Sequence, residues 1–165
     1  MDRRATTPDL DDRQDDAART VSKPRKGADE RVGVTLLVRH PNADLRELLR
    51  ILDLKPYRAW KRGDAITTPK GTVMPGKYSD SRWNHVWRLR RRETFPTKLR
   101  EIVDQIAVGE KQFRQVGKSG GDAQLIVRIS GFNHLGDTIE ADVLGRMSDL
   151  GLSLGFEVFG EPQRH

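Results

Sequence analysis

A chain of 165 residues, 35% of them hydrophobic and 33% charged, suffices for one domain with a modest core and a tail. It has no cysteine, which excludes disulfides, thiolate metal sites and cysteine nucleophiles. The net charge of +6 is unevenly spread: residues 1–30 hold seven Lys/Arg and eight Asp/Glu, leaving 23 basic and 16 acidic side chains in residues 31–165, so the folded part should steer toward acidic partners.

No apolar run approaches membrane-spanning length, and the N-terminus lacks the apolar stretch of a secretion signal. A cytoplasmic location in a bacterium is expected, with no membrane contact. Residues 1–30 scatter their apolar side chains among alternating acids and arginines, and read as a disordered or weakly helical tail. A single domain is expected over 31–160, then a short tail over 161–165.

Val32, Val34, Leu36 and Val38 alternate with smaller or polar residues, which predicts a strand with one apolar face. Asn42 is a candidate N-cap, with Asp44 in the first turn. Leu45, Leu48, Leu49 and Leu52 then predict an amphipathic helix, stopped by Pro56. Tyr57–Asp64 reads as a short strand running into a loop, and Ala65–Arg82 as a long loop, functional or mobile in part. Trp83–Arg92 returns to strand character. His85, Trp87 and Leu89 share one face of it, and Val86, Arg88, Arg90 and Arg92 the other.

Pro96-Thr97 opens a second helix whose stripe is Leu99, Ile102, Val103 and Ile106. Phe113 and Val116 continue the stripe past Gly109, where the helix must bend or break. Leu125, Val127 and Ile129 form the next strand. Asp137-Thr-Ile-Glu140 has capping-box spacing. A third stripe follows in Ile139, Val143, Leu144, Met147 and Leu150, with Gly151 at the left-handed position after the helix. Leu152, Leu154, Phe156 and Val158 form the last strand.

Helices with one stripe and strands with one apolar face predict an α+β two-layer sandwich. A mixed or antiparallel sheet of four to five strands would carry three helices on one face, in a ferredoxin-like arrangement extended by one helix–strand unit. The order Leu52-x-Leu54-x-Pro56, Trp60-x-x-Gly63-Asp64, a Gly-rich loop, a Trp-bearing strand and the closing Leu150–Gly160 element resembles a bacterial domain-of-unknown-function family, number 4279. The resemblance runs from about Val32 to Gly160. It implies the fold and no activity.

Three groups of residues could carry function. In the loop Trp60-Lys61-Arg62-Gly63-Asp64, with Lys70 nearby, Trp60 could anchor a ligand or partner and Arg62 could fork onto a carboxylate or phosphate; the alternative is that Trp60 pins the loop and Asp64 caps a turn. No phosphate-loop pattern is present. Arg88, Arg90 and Arg92, spaced about 7 Å apart along a strand, could follow a single-stranded nucleic acid with stacking by Trp83 or Trp60. They could equally blunt an open sheet face. His40 and His134 each follow a strand and precede a helix. If those strands are parallel, the two share an edge that could hold an anion or, with Asp137, a metal.

No catalytic set appears, an enzyme is the less favoured reading, and no cofactor is implied. The leading expectation is a non-catalytic module, of protein-interaction or immunity type by fold-level analogy, that binds an acidic protein. It would act as a monomer or weak homodimer. Nucleic acid is the alternative partner.

Overall fold

A computed structural model describes residues 28–90, 93–130 and 136–159. In chain order the elements are β1 (Ala28–His40), α1 (Arg46–Leu52), β2 (Arg58–Trp60), β3 (Ala65–Thr67), β4 (Val73–Lys77) and β5 (Ser81–Arg90). Then come α2 (Phe95–Ile106), a single 3-10 turn (Ala107–Gly109), α3 (Glu110–Lys118), β6 (Asp122–Ser130), α4 (Ala141–Asp149) and β7 (Leu152–Phe159). Residues 1–27 of the expected N-terminal tail, the C-terminal tail, Arg91, Arg92 and His134 lie outside the described residues, and residues 28–30, expected in the tail, belong to β1.

Five strands form one mixed sheet in the order β2-β5-β1-β6-β7. β1 runs antiparallel to β5 and β6, β2 antiparallel to β5, and β7 parallel to β6. Hence β1–α1–β2 and β5–α2–α3–β6 are two crossover units, each with one strand of the other between its own strands. The α4–β7 unit extends the sheet beyond β6.

Alternation decides which face is covered. Val34, Leu36, Val38, Trp83, Leu89, Leu125 and Val127 point one way and are buried in a single core. The helices close that core with Leu48 and Leu52 of α1, Leu99, Ile102, Val103 and Ile106 of α2, Phe113 of α3, and Val143 and Met147 of α4. Each fully buried aliphatic chain contributes roughly 1.5–3 kcal/mol relative to exposure. The fold is therefore α+β, with helices on one face of the sheet.

Of the two alternatives for the second helical stripe it is the break that occurs, at a 3-10 turn, because Gly109 is buried where α1 crosses it. A Cβ there would meet Leu52 Cδ2 at 2.8 Å and Leu48 Cδ1 at 3.2 Å. Several other expectations change in detail. Asn42 does not cap α1; Asp44 Oδ1 accepts the Arg46 N–H at 3.0 Å. No capping box forms at α4, which starts at Ala141 with Glu140 as its N-cap and no side-chain cap. Asp137 instead accepts the N–H of Thr138. Gly151 does take the left-handed conformation, φ 71°.

The stretch expected to be a long loop contains a hairpin, β3–β4, which forms its own two-stranded sheet. Gly71 N–H bonds Thr68 O at 2.9 Å and Thr68 N–H bonds Thr72 O at 2.8 Å. This is a three-residue hairpin connection, Pro69-Lys70-Gly71.

Candidate functional site

The tryptophan loop is the root of that hairpin arm. Trp60 stacks on Tyr78 with ring centroids 4.5 Å apart. Its indole N–H donates to Asp80 Oδ1 at 3.2 Å, and the Arg82 guanidinium lies 5.6 Å from the ring centroid. Such contacts are individually worth about 0.5–1.5 kcal/mol. Together they fix the arm to the edge of the sheet.

The charged members of the loop are also engaged. Arg62 donates from Nη1 to Pro41 O at 3.3 Å and to Asn42 Oδ1, and from its backbone to the buried Ser81 Oγ at 3.1 Å. Asp64 Oδ2 accepts the Lys61 N–H at 2.8 Å, so it caps the turn. Lys70 is exposed at the hairpin tip.

Between this loop and α1 lies a cleft of about 380 Å³, with Leu45, Leu49 and Trp83 among its lining residues and Asp44, Arg46, Lys61, Asp64 and Arg82 as its charged ones. Asp44 Oδ2 accepts from Arg46 Nε at 2.8 Å and faces Lys61 Nζ at 3.7 Å. The hydrogen bonds from the Arg46 side chain and then its backbone lower the Asp44 pKa to about 2.

A depressed carboxyl pKa stabilises the fold above the ordinary Asp value of about 3.9, and that contribution is lost as pH falls toward the folded value. Asp44→Asn should therefore lower the urea midpoint slightly at neutral pH. Its deficit against the parent should close between about pH 4 and 2. The effect is small because the pair is at the surface.

Trp83 is not a surface aromatic. It is 1% exposed on the helix-covered face of β5, and its indole N–H makes no hydrogen bond. Its partnership with the arginines is ruled out by parity: Trp83 shares the face of His85, Trp87 and Leu89, while Arg82, Arg88 and Arg90 point the other way.

That other face is the open one, and registration gathers arginines on it from four strands. Arg82 of β5 stands opposite Arg39 of β1 and Trp60 of β2, and Arg58 of β2 opposite Asn84. Arg88 shares a row with Gly33 and Arg128, and Arg90 stands opposite Ala28. Two carboxylates interrupt the cluster. Asp122 pairs with Arg39 at 3.1 Å, and Glu157 with Arg128 at 2.8 Å. Sequence reasoning found Arg88 and Arg90; it missed Arg82, which the expected strand start at Trp83 left in the loop, and Arg39, Arg58 and Arg128, which only strand order brings alongside.

The histidine edge does not assemble. Its premise was parallel strands, but β6 runs against β1, so the end of β6 lies at the far end of the sheet from His40. His40 is 3% exposed and both ring nitrogens are engaged. Nδ1 accepts the N–H groups of Asn42 at 3.0 Å and Ala43 at 2.6 Å. Nε2 therefore carries the hydrogen and donates it to Ser119 Oγ at 3.0 Å. Among the described residues no group of three His, Asp or Glu side chains could hold a metal, and no helix is long and apolar enough to cross a membrane.

Residues 30–159 match the family described as a domain of unknown function, DUF4279, and the chain belongs to that family. No curated protein and no solved structure matches it.

Proposed function

For this member of the family we propose a non-catalytic module that binds an acidic protein through the open face of its sheet. The observation that carries this reading is the set of arginines on that face, Arg39, Arg58 and Arg82 toward one end and Arg88, Arg90 and Arg128 toward the other, with Leu37, Thr35, Val86 and Ile126 between them and with Asp122 and Glu157 pairing to Arg39 and Arg128. Guanidinium groups fork onto carboxylates and hold them in fixed directions. The Trp60 arm is rooted at the edge of this face and carries the exposed Lys70 and Lys77.

A single-stranded nucleic acid is the second reading, supported by the spacing of Arg88 and Arg90 at about 7 Å. The protein reading is stronger because base stacking needs an open aromatic face. Trp60 has Tyr78 against its ring and Arg82 beside it, Trp83 is buried, and the half-exposed Phe159 stands at the β7 edge of the face with Arg128 against its ring, which gives stacking one ring at one edge rather than a run along the arginines. The two interleaved crossover units support reading the fold as an extended ferredoxin-like arrangement.

The test is the double variant Arg58→Glu/Arg90→Glu, titrated against a polyglutamate and a single-stranded oligonucleotide of equal charge. At low salt the parent should bind the polyglutamate, and the variant at least about tenfold more weakly, a difference of about 1.4 kcal/mol. The circular dichroism spectrum should stay unchanged. Equal binding by parent and variant overturns the face as the site, and a clear preference for the oligonucleotide selects the second reading.

A further inference from the structure

The two edges of the five-stranded sheet are unlike each other. β2 is three residues long and its continuation is drawn into the hairpin arm. β7 presents eight residues, Leu-Ser-Leu-Gly-Phe-Glu-Val-Phe, without proline, lysine or arginine. Its pairing with β6 is in continuous parallel register, with no bulge. Edge strands of this length ordinarily carry such blunting devices, because their outward N–H and C=O groups pair with any strand they meet. The one charge on β7, Glu157, is held on the open face by Arg128.

The same edge is apolar at its C-terminal half. Phe156 is 54% exposed, Val158 71% and Phe159 50%. Those are three of the eight exposed large hydrophobics among the described residues, placed within four positions. Phe156 and Val158 lie on the helix-covered face and Phe159 on the open one, so apolar groups flank the edge on both sides; exposed apolar residues grouped along one edge mark a contact surface, whereas single ones do not.

We infer that β7 pairs with the β7 of a second copy of this chain. The pairing is antiparallel about a two-fold axis through Phe156, and it joins two five-stranded sheets into one continuous sheet. A second copy fits because the edge is self-complementary, as a two-fold interface requires. An axis normal to the sheet leaves every side chain on its own face, so it must pass through a residue rather than between two. An axis through Glu157 would set like charges directly opposite, which is destabilising. An axis through Gly155 would leave Phe159 beyond the partner strand. With the axis through Phe156, the two Phe156 rings meet, Glu157 faces Gly155, Val158 faces Leu154 and Phe159 faces Ser153.

The size of the contact sets its strength. Two half-exposed Phe rings and most of a Val amount to roughly 300 Å² of side-chain surface per copy. With the backbone edge, this stays at or below the roughly 1,200 Å² total at which stable interfaces begin. The dimer is therefore reversible and concentration-dependent. It does not rest on the arginine-face reading, since Arg58 and Arg90 lie on the strands farther from β7.

The test uses the full chain and its lack of cysteine. Sedimentation equilibrium should show the mass rising with concentration from 18.8 kDa toward twice that value, while Val158→Lys should stay at the monomer mass. Under mild oxidation Phe156→Cys should form a covalent dimer at least about tenfold faster than Val158→Cys. Directly opposite Cβ atoms stand about 4.5–5.5 Å apart, whereas the two copies of position 158 are offset by about 13 Å along the strands. Monomer mass at every concentration, or equal cross-linking at 156 and 158, overturns the proposal. So does a full chain that dimerises only after residues 1–27 are removed, because the edge would then be covered by the chain itself.

Discussion

Gly121→Ala is expected to destabilise the protein by about 2–3 kcal/mol, the cost of forcing extra volume into a packed site. That corresponds to a melting temperature lower by roughly 5–10 °C for a domain of this size. A Cβ at Gly121 would lie 2.6 Å from Arg39 O, 2.7 Å from His40 Cδ2 and 2.7 Å from Val116 Cγ1. The first of these is the backbone of the central strand, which cannot turn aside as a side chain can. The position is also held from the other direction. Gly121 N–H bonds Val116 O at 2.9 Å and Gly120 N–H bonds Gly117 O at 3.2 Å, with Gly120 at φ 93°. This is the six-residue closure that ends a helix on a left-handed glycine. Gly117→Ala, in the same turn but with nothing within 4 Å, should instead stabilise by about 0.4–1 kcal/mol. Opposite signs at two glycines four residues apart are the readout. A Gly121→Ala midpoint equal to the parent would show that α3 does not seat this closely on β1.

The contrast between those glycines shows what periodicity can and cannot carry. The apolar face of β1, the α2 stripe and the left-handed turn at Gly151 follow from local rules, and all three were legible in the sequence. The hairpin was not, although Pro69-Lys-Gly71 is a turn signal. Its strands have three and five residues with little burial on either side, so no alternation marks them. The direction of β6 against β1 leaves no local trace either, and it decides that His40 has no partner across the sheet from the end of β6. The same antiparallel register brings Arg39 and Arg128 onto the face where Arg88 and Arg90 were expected. The burial of Trp83 was available from parity, since it falls two residues before His85 and four before Trp87. Phe156 and Val158 have the alternation of core residues and are exposed, because β7 is the last strand and its end outruns the helix layer.

Removal of the His40 imidazole is expected to cost about 2–4 kcal/mol, from the space left by a buried ring and from two part-buried loop N–H groups that lose their acceptor. The ring ties the last residue of β1 to the loop before α1 through Asn42 and Ala43 N–H, and to the end of α3 through Ser119. Ser119 Oγ passes its own hydrogen to Gln115 O at 2.6 Å, so the chain of donors runs from strand to helix without a gap. His40→Asn can place a carbonyl oxygen where Nδ1 stands and keep the two backbone bonds, losing only the reach to Ser119. Ser119→Ala removes the same link from the other end. Both should cost about 1–2 kcal/mol, less than His40→Ala, because neither orphans the loop amides. The ordering separates a structural histidine from a ligand-holding one. Added zinc or phosphate should leave the melting temperature of the parent where it is. A rise in the parent that is abolished in His40→Asn would instead assign the ring to a bound ion, and the network drawn above would be wrong about which group Nδ1 accepts from.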